Sequence, residues 1–460
     1  MAHADPGTVF DVVVLGAGSG GYACALRAAQ LGKSVALIEK GKLGGTCLHE
    51  GCIPTKALLH AAEVADTARH GSAIGVSTRF DGVDMPAVQR YQQGVVDRLY
   101  RGLTGLIASS DLITVVEGAG RLLDAHTVEV EGRRYTGSNV VLATGSAPRT
   151  LGVELGGRVV TSDQALTLQE LPERIVVIGG SVIGVEFASV WASLGAQVTI
   201  VEALDRLAPL EDPVLSKGLE RAFRKRSIGF RTGVKFTDVT QDDDHAVVRL
   251  EDGSALEADL VLIAVGRGPR SEDMGFEEAG IALDRGWVAT DERLRTNVDG
   301  VYAVGDLVAG LQLAHRGFAH GIFVAEDIAG LAPAPVVDEQ IPRVTYCEPE
   351  LASVGLTEAQ ARERFGDVDV VEYNLAGNGK SQILQTAGLV KLVRQSDGPI
   401  VGVHMIGARM GEQIGEAALL VNWEAYPDDV APLIHAHPTQ NESLGEAALA
   451  LAGKPLHSHA

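Results

Sequence analysis

Asp11-Val12-Val13-Val14-Leu15-Gly16-Ala17-Gly18-Ser19-Gly20-Gly21 is the stretch that decides the fold. Its first five residues form a short apolar run, suited to a strand buried on both faces of a parallel sheet. Gly16-x-Gly18-x-x-Gly21 follows at once. The alanine-rich run Tyr22–Leu31 reads as a helix stopped by Gly32, a good C-terminal cap. Ser34–Ile38 reads as the next strand, closed by Glu39. In such a unit the first glycine makes the tight turn and the second lets the backbone approach a pyrophosphate. The third allows close helix–strand packing, and the helix N-terminus attracts phosphate. The acid at the end of the second strand accepts hydrogen bonds from ribose hydroxyls. A glycine pattern alone is weak evidence in a chain with 55 glycines. The flanking strand, helix and acid make it a dinucleotide site.

The unit recurs. Arg174–Ile178 leads into Gly179-Gly180-Ser181-Val182-Ile183-Gly184, then a helix to about Leu194, Gly195, and a strand ending at Glu202. Gly16 to Glu39 and Gly179 to Glu202 both span 23 positions. An internal repeat of this kind implies two dinucleotide sites. Ser181 replaces the middle glycine, which implies a modest loss of affinity. Glu202 pairs with a free 2′-hydroxyl and repels a 2′-phosphate, so the second site prefers NAD to NADP. Arg206, four residues on, softens that repulsion or is simply solvated.

Cys47 and Cys52 lie five positions apart in Gly44-Gly45-Thr46-Cys47-Leu48-His49-Glu50-Gly51-Cys52-Ile53-Pro54-Thr55-Lys56, eight residues past Glu39. In a regular helix, residues five apart are roughly 8 Å apart by Cα, and a disulfide wants about 7 Å or less. Closure therefore requires a distorted chain, for which Gly51 and Gly44-Gly45 give latitude. A redox-active dithiol is one reading. Zinc binding with His49 is the other, and the two-cysteine set is poor for it. Lys56 stands one helical turn beyond Cys52 and shares its face. Glu50 either opposes thiolate formation or points to solvent.

At 460 residues the chain is long enough for about three domains. Apolar residues make up 46% and charged residues 22%, a globular balance. A formal charge of −21 repels nucleic acid and anionic lipid, and excludes both as main partners. Four cysteines are too few for a secreted disulfide scaffold. Ile175–Val201 is the longest hydrophobic stretch, but Glu186 and the motif glycines mark it as strand–helix–strand. Met1-Ala2-His3-Ala4-Asp5 lacks the basic region of a secretory leader, so the expected location is the cytoplasm.

Further segments end strands in small-residue turns: Val140–Gly145, Leu260–Arg267 and Thr296–Asp306. Asp306, after Gly305, is placed to bind a ribose or ribitol hydroxyl or to cap the next helix. With His435-Ala436-His437-Pro438-Thr439-Gln440-Asn441-Glu442, these motifs make the chain resemble the flavoprotein disulfide reductase family over nearly its full length. It is most similar to the branch that oxidises dihydrolipoyl groups. The resemblance implies an α/β fold with two Rossmann-like dinucleotide-binding domains and a C-terminal α+β dimerisation domain. The implied domains are 1–150 (FAD, first part), 151–272 (NAD), 273–338 (FAD and central, second part) and 339–460 (dimerisation).

The resemblance also implies FAD at the first site and NAD at the second. To FAD it assigns Gly16, Gly18, Gly21, Glu39, Lys40, Thr46, Lys56, Ala119, Gly120, Thr144, Gly145, Asp306 and Ala314. To NAD it assigns Gly179, Gly180, Ile183, Gly184, Glu202 and Gly266. Cys47 becomes the thiol that meets substrate and Cys52 the one beside the flavin, with Lys56 paired to Glu186. His437 is the base, oriented by Glu442 and facing the partner subunit across a homodimer, with His435 in support. His457 and His459 read as disordered surface residues. Lipoyl-bearing subunits of 2-oxoacid dehydrogenase complexes are the implied partners, and no metal is implied. A glutathione- or mycothione-type reductase is the nearest rival, and a non-enzymatic nucleotide-binding scaffold is a distant one.

Overall fold

A computed structural model of the protein describes residues 8–457, so Met1–Asp5 and His459 lie outside the described residues. The chain divides into two compact units, Met1–Ala57, Gln89–Arg149 and Arg267–Asp338 in one, Leu58–Val88, Thr150–Gly266 and Glu339–Ala460 in the other.

Among the described residues, the first unit builds a seven-stranded sheet. Strand Val9–Leu15 lies between parallel neighbours Val35–Glu39 and Arg133–Leu142. Ile113–Glu117 extends the parallel part beyond Val35–Glu39, and Val301–Ala303 pairs with Arg133–Leu142. Thr127–Val130 and Gly120–Asp124 complete it as an antiparallel flap. The apolar runs behave as expected of a doubly covered sheet, with Val12, Val13, Val14 and Ile38 fully buried. Helix Ser19–Gln30 packs against helix Ala314–Ile328 at very close range: a Cβ on Gly317 would sit 2.5 Å from the Ser19 hydroxyl.

The second unit carries an all-parallel sheet in the order Gly229–Thr232, Gln197–Glu202, Arg174–Ile178, Leu260–Ile263, Val159–Thr161. Helix Val182–Leu194 is apolar nearly all round, and ten of its residues are buried. That explains the long hydrophobic stretch. No helix among the described residues is long and apolar enough to cross a membrane. A second, antiparallel sheet runs Arg343–Thr345, Glu350–Gly355, Ile400–Gly407, Leu389–Gln395, Val368–Asn374, against helices Met410–Asn422 and Glu442–Leu451. Lys391 is buried between Asp212 at 3.0 Å and Glu358 at 2.8 Å, so its charge is balanced on both sides.

Candidate active site

The two glycine turns are near copies of each other. The Gly16 N–H donates to Ile38 O and the Gly179 N–H to Val201 O, both at 2.8 Å. Both glycines take a left-handed φ, +102° and +108°. A Cβ on Gly21 would overlap the Gly16 carbonyl oxygen, and one on Gly184 the Gly179 carbonyl oxygen. These glycines are therefore required by the protein's own packing. The middle position differs. Gly18 has φ −72°, open to any residue, and nothing lies within 4 Å of where its Cβ would sit. The protein itself therefore sets no demand for glycine at 18, and only a ligand held close to this backbone would. Ser181 has a similar backbone, φ −88°, so its side chain is conformationally free of strain. Neither Gly18 nor Ser181 caps the first turn of its helix with a side chain, which leaves the terminal N–H groups for a phosphate.

Gly18→Ala is thus expected to leave the flavin-free protein within about 0.5 kcal/mol of wild type, while weakening dinucleotide retention. Gly21→Ala is expected to cost about 3 kcal/mol or more. Thermal melts of the cofactor-stripped variants, followed by FAD titration, check both. A Gly21→Ala protein as stable as Gly18→Ala would contradict this division.

Glu39 and Glu202 each hold the backbone of their own turn. Glu39 accepts the Ala17 and Gly41 N–H groups, each at 2.8 Å. Glu202, buried, accepts those of Gly180 at 2.6 Å and Leu204 at 2.8 Å. Each acid is thereby locked beneath its turn with lone pairs left over. Sequence spacing had no means of indicating this stapling. Arg206 donates to the Pro209 carbonyl at 2.9 Å and pairs with Asp205 at 3.3 Å, so its guanidinium is held locally.

The Gly44-Gly45 segment packs onto the first turn. A Cβ on Gly45 would stand 2.7 Å from the Gly18 Cα, which seats the segment bearing Cys47 directly on the nucleotide turn. The Ser146 hydroxyl donates to Asp306 Oδ2 at 2.7 Å. Arg267 Nε donates to that same hydroxyl at 2.8 Å. Asp306 is therefore oriented by a two-residue relay and does not cap a helix. Neither link could be read from the motifs, because Ser146 and Arg267 stand 160 and 121 positions from their partners, although Arg267 closes one of the strand-end motifs. Thr144 Oγ1 donates to Arg270 O at 2.6 Å, and Gly145 has φ +73°. Gly120 is needed for packing, since its Cβ would meet Leu15 at 2.6 Å. Lys40 and Ala119 are exposed, whereas Thr46, Ile183 and Ala314 are half-buried. Gly266 takes φ +97°.

The cysteines flank a break. One short helix, Gly45–His49, ends at Glu50, and a second, Cys52–His70, begins at Cys52. Gly51 acts by close approach: its Cβ would meet the Thr46 carbonyl oxygen at 3.0 Å and the Cys47 Cα at 3.5 Å. The Cys47 and Cys52 side chains are hydrogen-bonded as a dithiol. That hydrogen bond is the largest influence holding the Cys47 thiol protonated, followed by burial and by charge on Cys52. Lys56 and the Cys52 backbone N–H oppose them. The pair therefore resists carrying two thiolates at once, and Lys56 supplies the compensating cation for one. Glu50 is exposed and is not among the groups acting on Cys47. His49 is engaged with the Leu43 carbonyl at 2.9 Å and edge-on to Tyr100. Among the described residues, no group of three His, Cys, Asp or Glu side chains could hold a metal ion.

In the second unit, His437 Nδ1 lies 2.7 Å from Glu442 Oε1. Glu442 Oε2 accepts the Thr439 N–H at 2.6 Å, which fixes the carboxylate at the start of its helix. A carboxylate on Nδ1 selects the tautomer that leaves Nε2 as a proton acceptor. The His437 side chain is 75% exposed, so Nε2 is open to what lies outside this chain. His435 is paired with Glu416 at 2.9 Å, and that bond raises its pKa. His457 is exposed, as the sequence reading expects, and its ring and N–H both engage Glu446, at 2.8 and 3.0 Å. Glu186 is buried and accepts the Tyr346 N–H at 2.8 Å.

Known proteins match this arrangement. Residues 10–321 match the pyridine nucleotide-disulphide oxidoreductase family, and residues 341–448 match its dimerisation domain. A dihydrolipoyl dehydrogenase of Bacillus subtilis is 41% identical, over 98% of this chain and 99% of its own. One from Corynebacterium glutamicum is 38% identical, over 96% and 98%. The crystal structure of LpdA from Mycobacterium tuberculosis superimposes with a TM-score of 0.89 at 25% identity, covering 96% of this chain and 99% of that one.

Proposed function

Since the chain belongs to the pyridine nucleotide-disulphide oxidoreductase family, we propose that it oxidises dihydrolipoyl groups to lipoyl with NAD⁺, through a Cys47–Cys52 disulfide and FAD. The observation that carries this reading is the contact between the Cys47 and Cys52 sulfurs on a segment seated against the first nucleotide turn. The open cradle at Gly18, the uncapped helix start and the anchored Glu39 and Asp306 are the features that would hold FAD. FAD, when bound, supplies the two-electron relay between the thiols and the nicotinamide.

The rest falls to side chains. His437 Nε2 takes a proton from one substrate thiol, and Glu442 stabilises the resulting imidazolium. The substrate thiolate attacks the Cys47 sulfur of the enzyme disulfide. The Cys47–Cys52 bond breaks, a substrate–Cys47 bond forms, and Cys52 leaves as a thiolate beside Lys56. The second substrate thiol, its proton removed, attacks the first substrate sulfur and expels Cys47, which recovers a proton. Lipoyl departs with its ring disulfide formed, and two electrons remain on the enzyme pair. Transfer of a hydride equivalent to NAD⁺ restores the enzyme disulfide. The sum is dihydrolipoyl plus NAD⁺ giving lipoyl, NADH and H⁺.

On this reading the domains run 1–150, 151–272, 273–338 and 339–460, and the last pairs two copies as a homodimer in the cytoplasm. Lipoyl-bearing subunits of 2-oxoacid dehydrogenase complexes are the partners, testable by pull-down with purified acyltransferase cores. The deciding assay compares dihydrolipoamide plus NAD⁺ with glutathione or mycothiol disulfide plus NADPH. Turnover only in the second pair sinks the proposal. Glu202→Gln, which removes charge but keeps an acceptor, is expected to shift the ratio of kcat/KM for NADP⁺ over NAD⁺ upward by about tenfold or more. An unchanged ratio would show that Glu202 does not select the nucleotide.

A further inference from the structure

Two buried side chains of helix Ala314–Ile328 hold the turn that carries Asp306, and neither takes part in the chemistry above. Gly305 is left-handed, φ +67°, and its N–H donates to His320 Nδ1 at 3.3 Å. Its carbonyl faces Arg316 Nη1 at 3.5 Å. The same guanidinium donates to Val308 O at 3.4 Å and Ala309 O at 2.7 Å, and its Nε to Asp338 at 2.8 Å. His320 is 2% exposed and Arg316 4%. The turn from Gly305 to Ala309 is thus strung between one neutral imidazole and one guanidinium. A guanidinium is a permanent cation and a fixed set of donors. His320 does not have that constancy, and it serves only while Nδ1 is unprotonated.

We propose that His320 is a positioning residue for the flavin dinucleotide, acting through Gly305 and Asp306, and that its protonation opens this turn and releases the cofactor in acid. The inference rests on the first cradle holding FAD.

The groups bearing on His320 are few. Arg316 stands one turn earlier on its own helix and repels a second cation, while Asp338 favours one. Asp306 belongs to the turn itself and is engaged by Ser146. Helix Ser19–Gln30, packed on the same helix, offers Tyr22 against Phe318 and the Cys24 thiol. Burial pushes Cys24 up to about 12, so it is neutral. Burial, then Arg316, holds the His320 imidazole down to about 4, against an ordinary 6.5. In the closed turn the ring therefore stays neutral, and once the turn opens to water it takes a proton near 6.5. Falling pH favours the open turn between those two values by roughly tenfold per unit, and the bias stops growing below the lower one.

The test is FAD release from the holoprotein, followed as the rise in flavin fluorescence from about pH 7.5 to 5, with circular dichroism confirming that the fold persists. Wild type is expected to release faster as pH drops, approaching tenfold per unit below about 6.5. His320→Asn places an amide oxygen where Nδ1 accepts but does not titrate, and its release is expected to vary less than about threefold over the range. A wild-type rate flat with pH overturns the proposal without any variant, and so does a His320→Asn protein as acid-sensitive as wild type. Should His320→Asn not fold, His320→Gln carries the same comparison. Protein that shows this pH dependence yet does not turn over dihydrolipoamide defeats the proposed function and leaves the role of His320 standing.

Discussion

Cys52→Ser is expected to give a folded, yellow protein whose dihydrolipoamide–NAD⁺ turnover falls on the order of 10³-fold or more. Serine matches cysteine closely in size, and Cys52 is only half-buried at the start of its helix, so packing is little disturbed. The nucleotide cradle lies in other residues, Gly16, Gly18, Gly21 and Glu39, so the flavin stays. What is lost is the bond. A hydroxyl cannot form or leave a disulfide, so electrons from substrate have no store next to the cofactor. A single-turnover experiment adds a sharper reading: dihydrolipoamide should bleach the wild-type flavin and leave that of Cys52→Ser oxidised. Bleaching at the wild-type rate in the variant would remove the dithiol from the mechanism.

His437→Gln is expected to lower kcat/KM for dihydrolipoamide by about 10²- to 10⁴-fold, the usual contribution of a positioned general base. Glu442 keeps its bond to the Thr439 N–H, so the loop that carries residue 437 retains its anchor. The loss should shrink as pH rises, because a thiol that ionises in solution, at about 8.5 for a simple one, no longer needs the base. Measured across pH, the variant should continue to gain activity after wild type has levelled. A variant within about threefold of wild type at neutral pH would show that the dyad is structural. FAD content and NADH oxidation by an artificial acceptor should both be unaltered, which separates this loss from damage to the cofactor sites.

The parts legible in the sequence were those whose cause is local. A buried strand, a turn, a helix and a second strand are encoded in one short run of adjacent residues, so both dinucleotide units could be read with their boundaries close to those observed. The bend between Cys47 and Cys52 was also foreseeable, because helix geometry forbids the contact otherwise. Its agent was not foreseeable in detail: Gly51 permits close packing on Thr46, without a left-handed φ. Contacts made across the chain left no trace in the motifs. Ser146 and Arg267 behind Asp306, Arg316 and His320 behind Gly305, and Glu446 behind His457 are ordinary residues until folding assembles them. The tail makes the same point. His457 reads from sequence as a surface residue, and it is exposed, yet Glu446, a buried glutamate midway along helix Glu442–Leu451, holds it by two hydrogen bonds.

The contrast between the outer and middle positions of the glycine turns has a bearing on evolvability. Positions 16 and 21, like 179 and 184, are policed by the backbone itself, so a change there is purged before any ligand is consulted. Position 18 has no protein atom near where a Cβ would sit, and position 181 has a backbone open to any residue. A serine at 181 therefore carries no backbone strain, and libraries that vary the two turns should find their tolerance at the middle positions and not at the outer ones.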